Sequence, residues 1–517
     1  MENAYVYVGV ALVSLFIVLA SRRRSAAHGG DGLRLAPGPW QLPVIGSLHH
    51  LARQLPHRAM RDLARRHGPV MFLLLGEVPT LVVSSREGAS EVLKTHDTTF
   101  ATRPLSATIR VLTNGGRDMA FAPYGDYWRQ LRKIAVTELF TARRVLSFRA
   151  IREEEVAAML REVADAAAAA RPVEMHARLS ALVTDSTVRA VMGNRFKERD
   201  VFLRELDRSM KLAAGFNPPD LWPSSRLVGW LSGACRLAKE CREVGNGVLD
   251  AIIREHLERM EGGGGEAEDL LDVLLTIQKE SRPQFRLDMD AVKSVIFDIF
   301  GAGSETSTTT LEWAIAELVK NPKVMHKATA EVRRVFEARG AVAEHGLGEL
   351  PYFHLVIRET LRLHTPVPLL LPRECQEPCQ VLGYDVPRGT QVLVNAWALG
   401  RDERYWPDAP EEFRPERFEV EGGGAAAAEF RGTDFSFLPF GAGRRMCPGM
   451  AFGLANVELA LASLLFHFDW EVALGAEFDM SEAFGLTARP KAKLLLRPVL
   501  RVPIVVGVLS STGKGDH

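Results

Sequence analysis

Cysteine is scarce. The 517 residues hold five: Cys235, Cys241, Cys375, Cys379 and Cys447. That is too few, and too odd a number, for a disulfide-stapled scaffold, and it fits a reducing compartment. Cys375 and Cys379 have a loose metal-like spacing, but no second pair and no histidine cluster stands beside them, so they read as structural. Net charge is lacking too, since 64 Lys and Arg balance 64 Asp and Glu. That balance argues against nucleic acid as a partner. No internal repeat is visible. No long linker splits the middle, so one large catalytic domain is expected although the length alone suggests several.

Charge is absent from residues 4–20, which are mostly apolar, and Arg22, Arg23 and Arg24 follow at once. As a helix these roughly 17 residues span about 26 Å, just enough for a bilayer core. A cleaved signal peptide wants basic residues ahead of the apolar run, and here the charged residue ahead of it is Glu2. An uncleaved anchor is therefore favoured, with the arginines and everything after them on the cytosolic side. Residues 35–46, L-A-P-G-P-W-Q-L-P-V-I-G, carry Pro37, Pro39 and Pro43 and read as a stiff connector.

The apolar runs at 70–75 and 80–84, separated by Gly76, Glu77 and Pro79, predict a β-hairpin. Helical periods recur over 126–140, 151–170, 236–260, 288–319, 324–339 and 352–364. Short strands are expected at 391–395 and 493–498. Two low-complexity stretches, 262–265 and 422–428, read as surface loops. The expected fold class is mainly α with a small β component.

The most informative stretch is 440–449, F-G-A-G-R-R-M-C-P-G. Gly441 and Gly443 allow a backbone path that a Cβ would resist. Arg445 supplies a planar cation suited to a carboxylate. Pro448 sits where a helix start tolerates it, and 450–466 reads as a buried helix. A cysteine just before a helix N-terminus is placed to be a thiolate. A single thiolate above glycines suggests a haem ligand, because zinc or iron–sulfur sites need several ligands close together. A buried structural cysteine is the plainer reading of a lone Cys, and the whole decapeptide outweighs it.

Phe440, Gly443, Arg445, Cys447 and Gly449 match F-x-x-G-x-R-x-C-x-G, and on them the chain resembles the cytochrome P-450 haem-thiolate monooxygenases. The order of motifs is most similar to the plant microsomal enzymes of the 71 clan. The resemblance implies haem b with Cys447 as the iron's axial ligand. It divides the chain into an anchor (1–24), a basic and proline-rich hinge (25–46), a haem domain (47–505) and a flexible tail (506–517).

Residue 288 suits the N-cap of the longest helix. In its middle lies A-G-S-E-T-S, with Ala302 and Thr306 four apart and so on one face. A Thr306 hydroxyl bonded to the carbonyl four residues back would make a polar notch, with Glu305 adjoining. Alternatively Thr309 with Glu312 forms a capping box and starts a new helix. Spacing leaves the two readings level. The family's oxygen-activating motif, A-G-x-[D/E]-T-[T/S], matches completely and tips the judgement to the notch.

By the same resemblance, Glu359 and Arg362 in R-E-T-L-R join Arg417 in F-R-P-E-R-F as a buried structural triad. Trp128, Arg132, Arg373 and Arg445 are implied contacts of the haem propionates, and arginine suits carboxylates. Phe297, Ile299, Phe300, Ala302, Val367, Leu369 and Leu370, with Leu371, are the implied pocket wall, and a pocket with few charges favours a lipophilic substrate. The implied activity is monooxygenation with dioxygen and electrons from NADPH, delivered by a separate NADPH–cytochrome P-450 reductase. The implied location is the endoplasmic reticulum membrane, single-pass and in contact with membrane lipid, with the catalytic domain in the cytosol. The overall look resembles enzymes oxidising sesquiterpenoid or diterpenoid skeletons in plant specialised metabolism. Phenolic, indolic and fatty-acid substrates stay open, as does a haem-thiolate isomerase or dehydratase that uses no dioxygen.

Overall fold

The computed structural model describes residues 32–504, apart from 194–195, 197, 263–268, 281–286, 420–429 and 431. The expected anchor, the tail, the 422–428 loop and most of the 262–265 loop lie outside the described residues.

The apolar runs near the start pair as expected. β1 (Val70–Leu75) and β2 (Val78–Val83) are antiparallel, with Val70 opposite Val83 and Leu75 opposite Val78. Gly76 turns between them at φ +65°. A Cβ there would stand 2.4 Å from the Leu221 carbonyl oxygen, so the turn requires glycine. β3 (Arg373–Glu374) and β4 (Gln391–Val394) complete a sheet of order β1-β2-β4-β3, with β4 parallel to β2. A second sheet sets β5 (Phe468–Val472) against β6 (Leu495–Leu500), whose other edge takes Val173–Glu174.

The rest is mainly helical. The helices that position the site are α1 (Asp126–Ile134), α2 (Arg149–Ala168), α3 (Met175–Met192), α4 (Arg199–Ala213), α5 (Ala234–Glu261), α6 (Met289–Lys320), α7 (Pro322–Phe336), α8 (Pro351–Leu363) and α9 (Met450–His467). The helical pattern at 126–140 is not one α-helix, since α1 widens into a π-type turn over Ala135–Leu139.

α6 is the axis. Asp288 caps it, its side chain accepting from the Ala291 N–H at 2.9 Å, and the chain leaves it at Asn321–Pro322. Its 32 residues span roughly 48 Å. No new helix starts at Thr309, which is buried mid-helix. α3 and α9 pack on α6 most extensively. α9 is apolar on every side and accordingly buried along most of its length. Among the described residues it is the helix long and apolar enough to cross a membrane, and its burial makes it a core helix. One apolar cluster joins Trp313, Phe353 and Phe466, and a second joins Val292, Ile296 and Phe300 to α3, α4 and α5. Each fully buried large side chain is worth about 1.5–3 kcal/mol. The midpoint of α6 lies between these clusters, facing the loop before α9.

Candidate active site

The loop before α9 is held open by two left-handed glycines, Gly441 (φ +70°) and Gly443 (φ +67°). A Cβ on Gly443 would meet the Leu93 carbonyl oxygen at 2.4 Å. The Cys447 N–H donates to the Phe440 carbonyl at 2.9 Å and closes the loop. Phe440 packs edge-on against Phe430, and Gly449 immediately precedes α9. Cys447 is exposed. Yet burial pushes its thiol up, against the opposing pull of the Gly449 backbone and the Arg132 charge. An accessible thiol walled in by protein faces an internal void. The helix start and Arg132 act in the expected direction, but burial outweighs them. A thiolate at this position needs a bound cation.

The middle of α6 meets the start of α9 closely. A Cβ on Gly453 would sit 3.4 Å from Ser307 Oγ. Thr306 Oγ1 donates to the Ala302 carbonyl at 2.6 Å, the bond the spacing suggested. Ala302 is exposed although Phe300 and Gly301 beside it are buried, so this side of the core helix also faces a void. Glu305 Oε1 accepts from Thr487 Oγ1 at 2.5 Å.

Arginines converge beside the cysteine loop. Arg445 donates from Nε to the Ala101 carbonyl at 2.7 Å, from Nη1 to Met119 at 3.2 Å, and from Nη2 to Ala122. It lies over the Trp128 ring at 4.2 Å, and Trp128 donates its indole N–H to the Met119 carbonyl at 3.1 Å. Arg373 donates to Asp97 Oδ1 at 3.2 Å and to the Ala442 carbonyl at 2.9 Å. Burial lowers Arg445 to about 9, and Arg373 and Arg132 add to that lowering. Arg103, buried nearby, is lowered by burial and then by Arg373 and Arg445. Its Nε has no hydrogen-bond partner. Arg132 has no hydrogen-bond or ion-pair partner among the described residues. Buried cations this crowded are costly unless an anion joins them. The void, the thiol and the cationic rim fit haem, a flat group with two carboxylates.

Further from the void, Glu359, Arg362 and Arg417 meet as one buried unit. Arg362 bonds Glu359 twice at 2.7 Å, and Arg417 Nε bonds it at 2.9 Å. Arg362 also donates to the Pro410 carbonyl at 2.7 Å, tying α8 to the segment that leads to the cysteine loop.

Comparison with known proteins decides the family. A family model described as Cytochrome P450 matches residues 36–496. The chain belongs to the cytochrome P450 family. This P450 is 48% identical over 503 residues to dolabradiene monooxygenase of Zea mays, covering 96% of this chain and 98% of that protein. It is 43% identical over 498 residues to premnaspirodiene oxygenase of Hyoscyamus muticus, covering 94% and 97%. A solved zebra fish cytochrome P450 with progesterone superimposes with a TM-score of 0.74 at 28% identity, covering 86% of this chain and 100% of that one. This P450 is a haem-thiolate monooxygenase with the family's mainly helical fold.

A cavity of about 170 Å³ in this P450 is walled by Phe297, Ala302, Thr306, Val367 and Leu371, among others. An adjoining one of about 320 Å³ takes in Val367, Leu369 and Leu370. Ile299 and Phe300 line neither. Both are buried in the cluster behind α6, Phe300 against Phe202 at 5.2 Å. The helical pitch explains the correction: residues 297, 298, 301, 302 and 306 face the cavity, and 299 and 300 face away.

Sequence reasoning missed several residues here. Asp97 binds Arg373 and accepts from the Arg444 N–H at 3.0 Å. Asp118, buried, and Asp298, half-buried, place two carboxyls on the wall of the smaller cavity. Asp298 Oδ2 accepts from the Met119 N–H at 2.7 Å and the Ala120 N–H at 3.1 Å. Burial raises both, Asp298 to about 7 and Asp118 well above its usual range, where the Asp298 charge adds to the effect. Asp298 could have been noticed, since it lies four and eight residues before Ala302 and Thr306. Thr487 carried no local signal.

Proposed function

We propose that this P450 hydroxylates or otherwise oxidises a lipophilic terpenoid, with Cys447 as the haem's axial thiolate. When bound, haem supplies dioxygen activation and insertion of one oxygen atom into a C–H bond. The chain's own residues bind, orient and protonate. Arg132, Trp128, Arg373 and Arg445 are the residues that would hold the two haem carboxylates. Phe440, Gly443 and Gly449 hold the loop that presents the thiolate. The Thr306 hydroxyl, free to leave the Ala302 carbonyl, passes a proton into the void, and Glu305 renews it. The mainly apolar wall orients a hydrocarbon skeleton over Ala302. The observation that carries this reading is the Thr306–Ala302 bond on a helix face that opens into the cavity.

Electrons come from NADPH through a separate reductase. Residues 4–20 anchor the chain in the endoplasmic reticulum membrane, with the catalytic domain in the cytosol. An exposed apolar surface supports contact with lipid: Trp40 is 64% exposed and Trp230 78%. Leu42, Val44, Leu227 and Leu231 are exposed too, and Trp222 joins the two regions by donating to the Val44 carbonyl at 2.9 Å. The two relatives are named for dolabradiene and premnaspirodiene, which supports a terpenoid skeleton.

The test is a spectral titration of the haem-loaded protein with sesquiterpenoids, diterpenoids, phenolics, indoles and fatty acids, followed by NADPH consumption. The reading expects terpenoids to shift the Soret band, and NADPH use to need both reductase and substrate. Shifts confined to the other classes would overturn the terpenoid assignment. Turnover without reductase would favour the isomerase or dehydratase.

A further inference from the structure

Glu305 has few fixed neighbours. Among the described residues it has no ion-pair partner, and its hydrogen-bonded contact is the Thr487 hydroxyl at 2.5 Å. Thr487 is buried, 182 positions along the chain, on the segment between β5 and β6. That segment is pinned at Ala488. The Ala488 carbonyl accepts from Trp313 Nε1 at 2.7 Å, and the Ala488 N–H donates to the Pro366 carbonyl at 2.9 Å. Its near side is cavity wall. Leu486 and Thr487 line the smaller cavity, and Phe484 and Leu486 line the larger one. One hydrogen bond therefore joins a wall that touches substrate to the acid beside Thr306.

We propose that Thr487 is a positioning residue for Glu305, tying the acid to the cavity wall in the placement from which it renews the proton at Thr306. This rests on the reading that Glu305 renews the proton at Thr306. The physical case is one of alternatives. A glutamate with several rotatable bonds samples many placements, and a short hydroxyl-to-carboxylate bond selects one. The donor is held by a segment that is fixed at Ala488 and lines both cavities at Leu486.

The test compares Thr487→Val, which keeps the shape and loses the hydroxyl, with Thr487→Ser, which keeps the hydroxyl. Each haem-loaded variant is assayed with reductase and one accepted substrate for product per NADPH, and for substrate Kd by spectral titration. Glu305→Gln and the Glu305→Gln/Thr487→Val double variant complete the set. The valine variant should lose about tenfold in product per NADPH, short of the roughly 10²-fold or more that a positioned acid contributes. Its Kd should change less than about threefold, the serine variant should recover coupling, and the double variant should be no worse than Glu305→Gln. Equal losses in the valine and serine variants, or additive losses in the double, would make Thr487 a packing residue and overturn the inference. An unchanged valine variant beside an impaired Glu305→Gln overturns it as well, leaving the role of Glu305 intact. An unchanged Glu305→Gln removes that role, and this inference with it. Thr487→Ala repeats the comparison if the valine variant does not fold.

Discussion

Thr306 satisfies a helix carbonyl, and the proposed proton role requires the same hydroxyl to release it during turnover. Thr306→Ala leaves the thiol, the arginines and the apolar wall in place, so haem and substrate should still bind. NADPH use should continue while product per NADPH falls by about tenfold or more and peroxide rises, read as a coupling ratio with one accepted substrate. Cys447→Ala makes a different prediction. Haem should be lost or retained without the strongly red-shifted Soret band of the reduced carbon monoxide complex, and persistence of that band would exclude Cys447 as the ligand. The carboxyl pair gives a pH prediction. A raised pKa means that folded Asp298 holds a proton the unfolded chain has released, so the pair subtracts stability as pH rises from about 4 through about 7. Asp118→Asn keeps a donor beside Asp298 and removes one charge. Its thermal midpoint relative to the parent should climb between pH 5 and pH 8, and a flat difference would contradict the pair's titration.

At the scale of elements, the Glu359 triad is where a single change should cost the fold most. Glu359→Gln leaves two buried guanidinium groups without their carboxylate. Breaking a buried pair typically costs about 3–5 kcal/mol, so the variant should unfold at markedly lower temperature and recover less haem, both measurable by thermal melt and haem content. The element scale also shows what was legible. The 288–319 period lies within one residue of α6 at either end, because an apolar face, a capping Asp and a following Pro all agree. The decapeptide displayed its loop, because left-handed glycines and a proline leave local marks. α3 left none that periodicity could read. It is buried on nearly every side, with Thr184, Ser186 and Thr187 inside, so packing on α6 rather than a stripe makes it a helix. Asp97, Arg103, Asp118 and Thr487 were silent for a related reason. Each acts across long sequence separations, and nothing beside it in the chain announces the partner.

Taken whole, the molecule sets a glycine-turned thiol loop with a cationic rim just before α9, and a notched helix whose Ala302 and Thr306 wall a mostly apolar cavity. The proposed proton role of Thr306 suits oxygen insertion, and an isomerase would have no need of it. The direct test is turnover of an accepted terpenoid by the full chain in membranes with reductase, NADPH and ¹⁸O-labelled dioxygen. The account predicts one labelled oxygen atom in each product molecule, and no product when either dioxygen or reductase is withheld. Product without label, or formed in the absence of dioxygen, would contradict it.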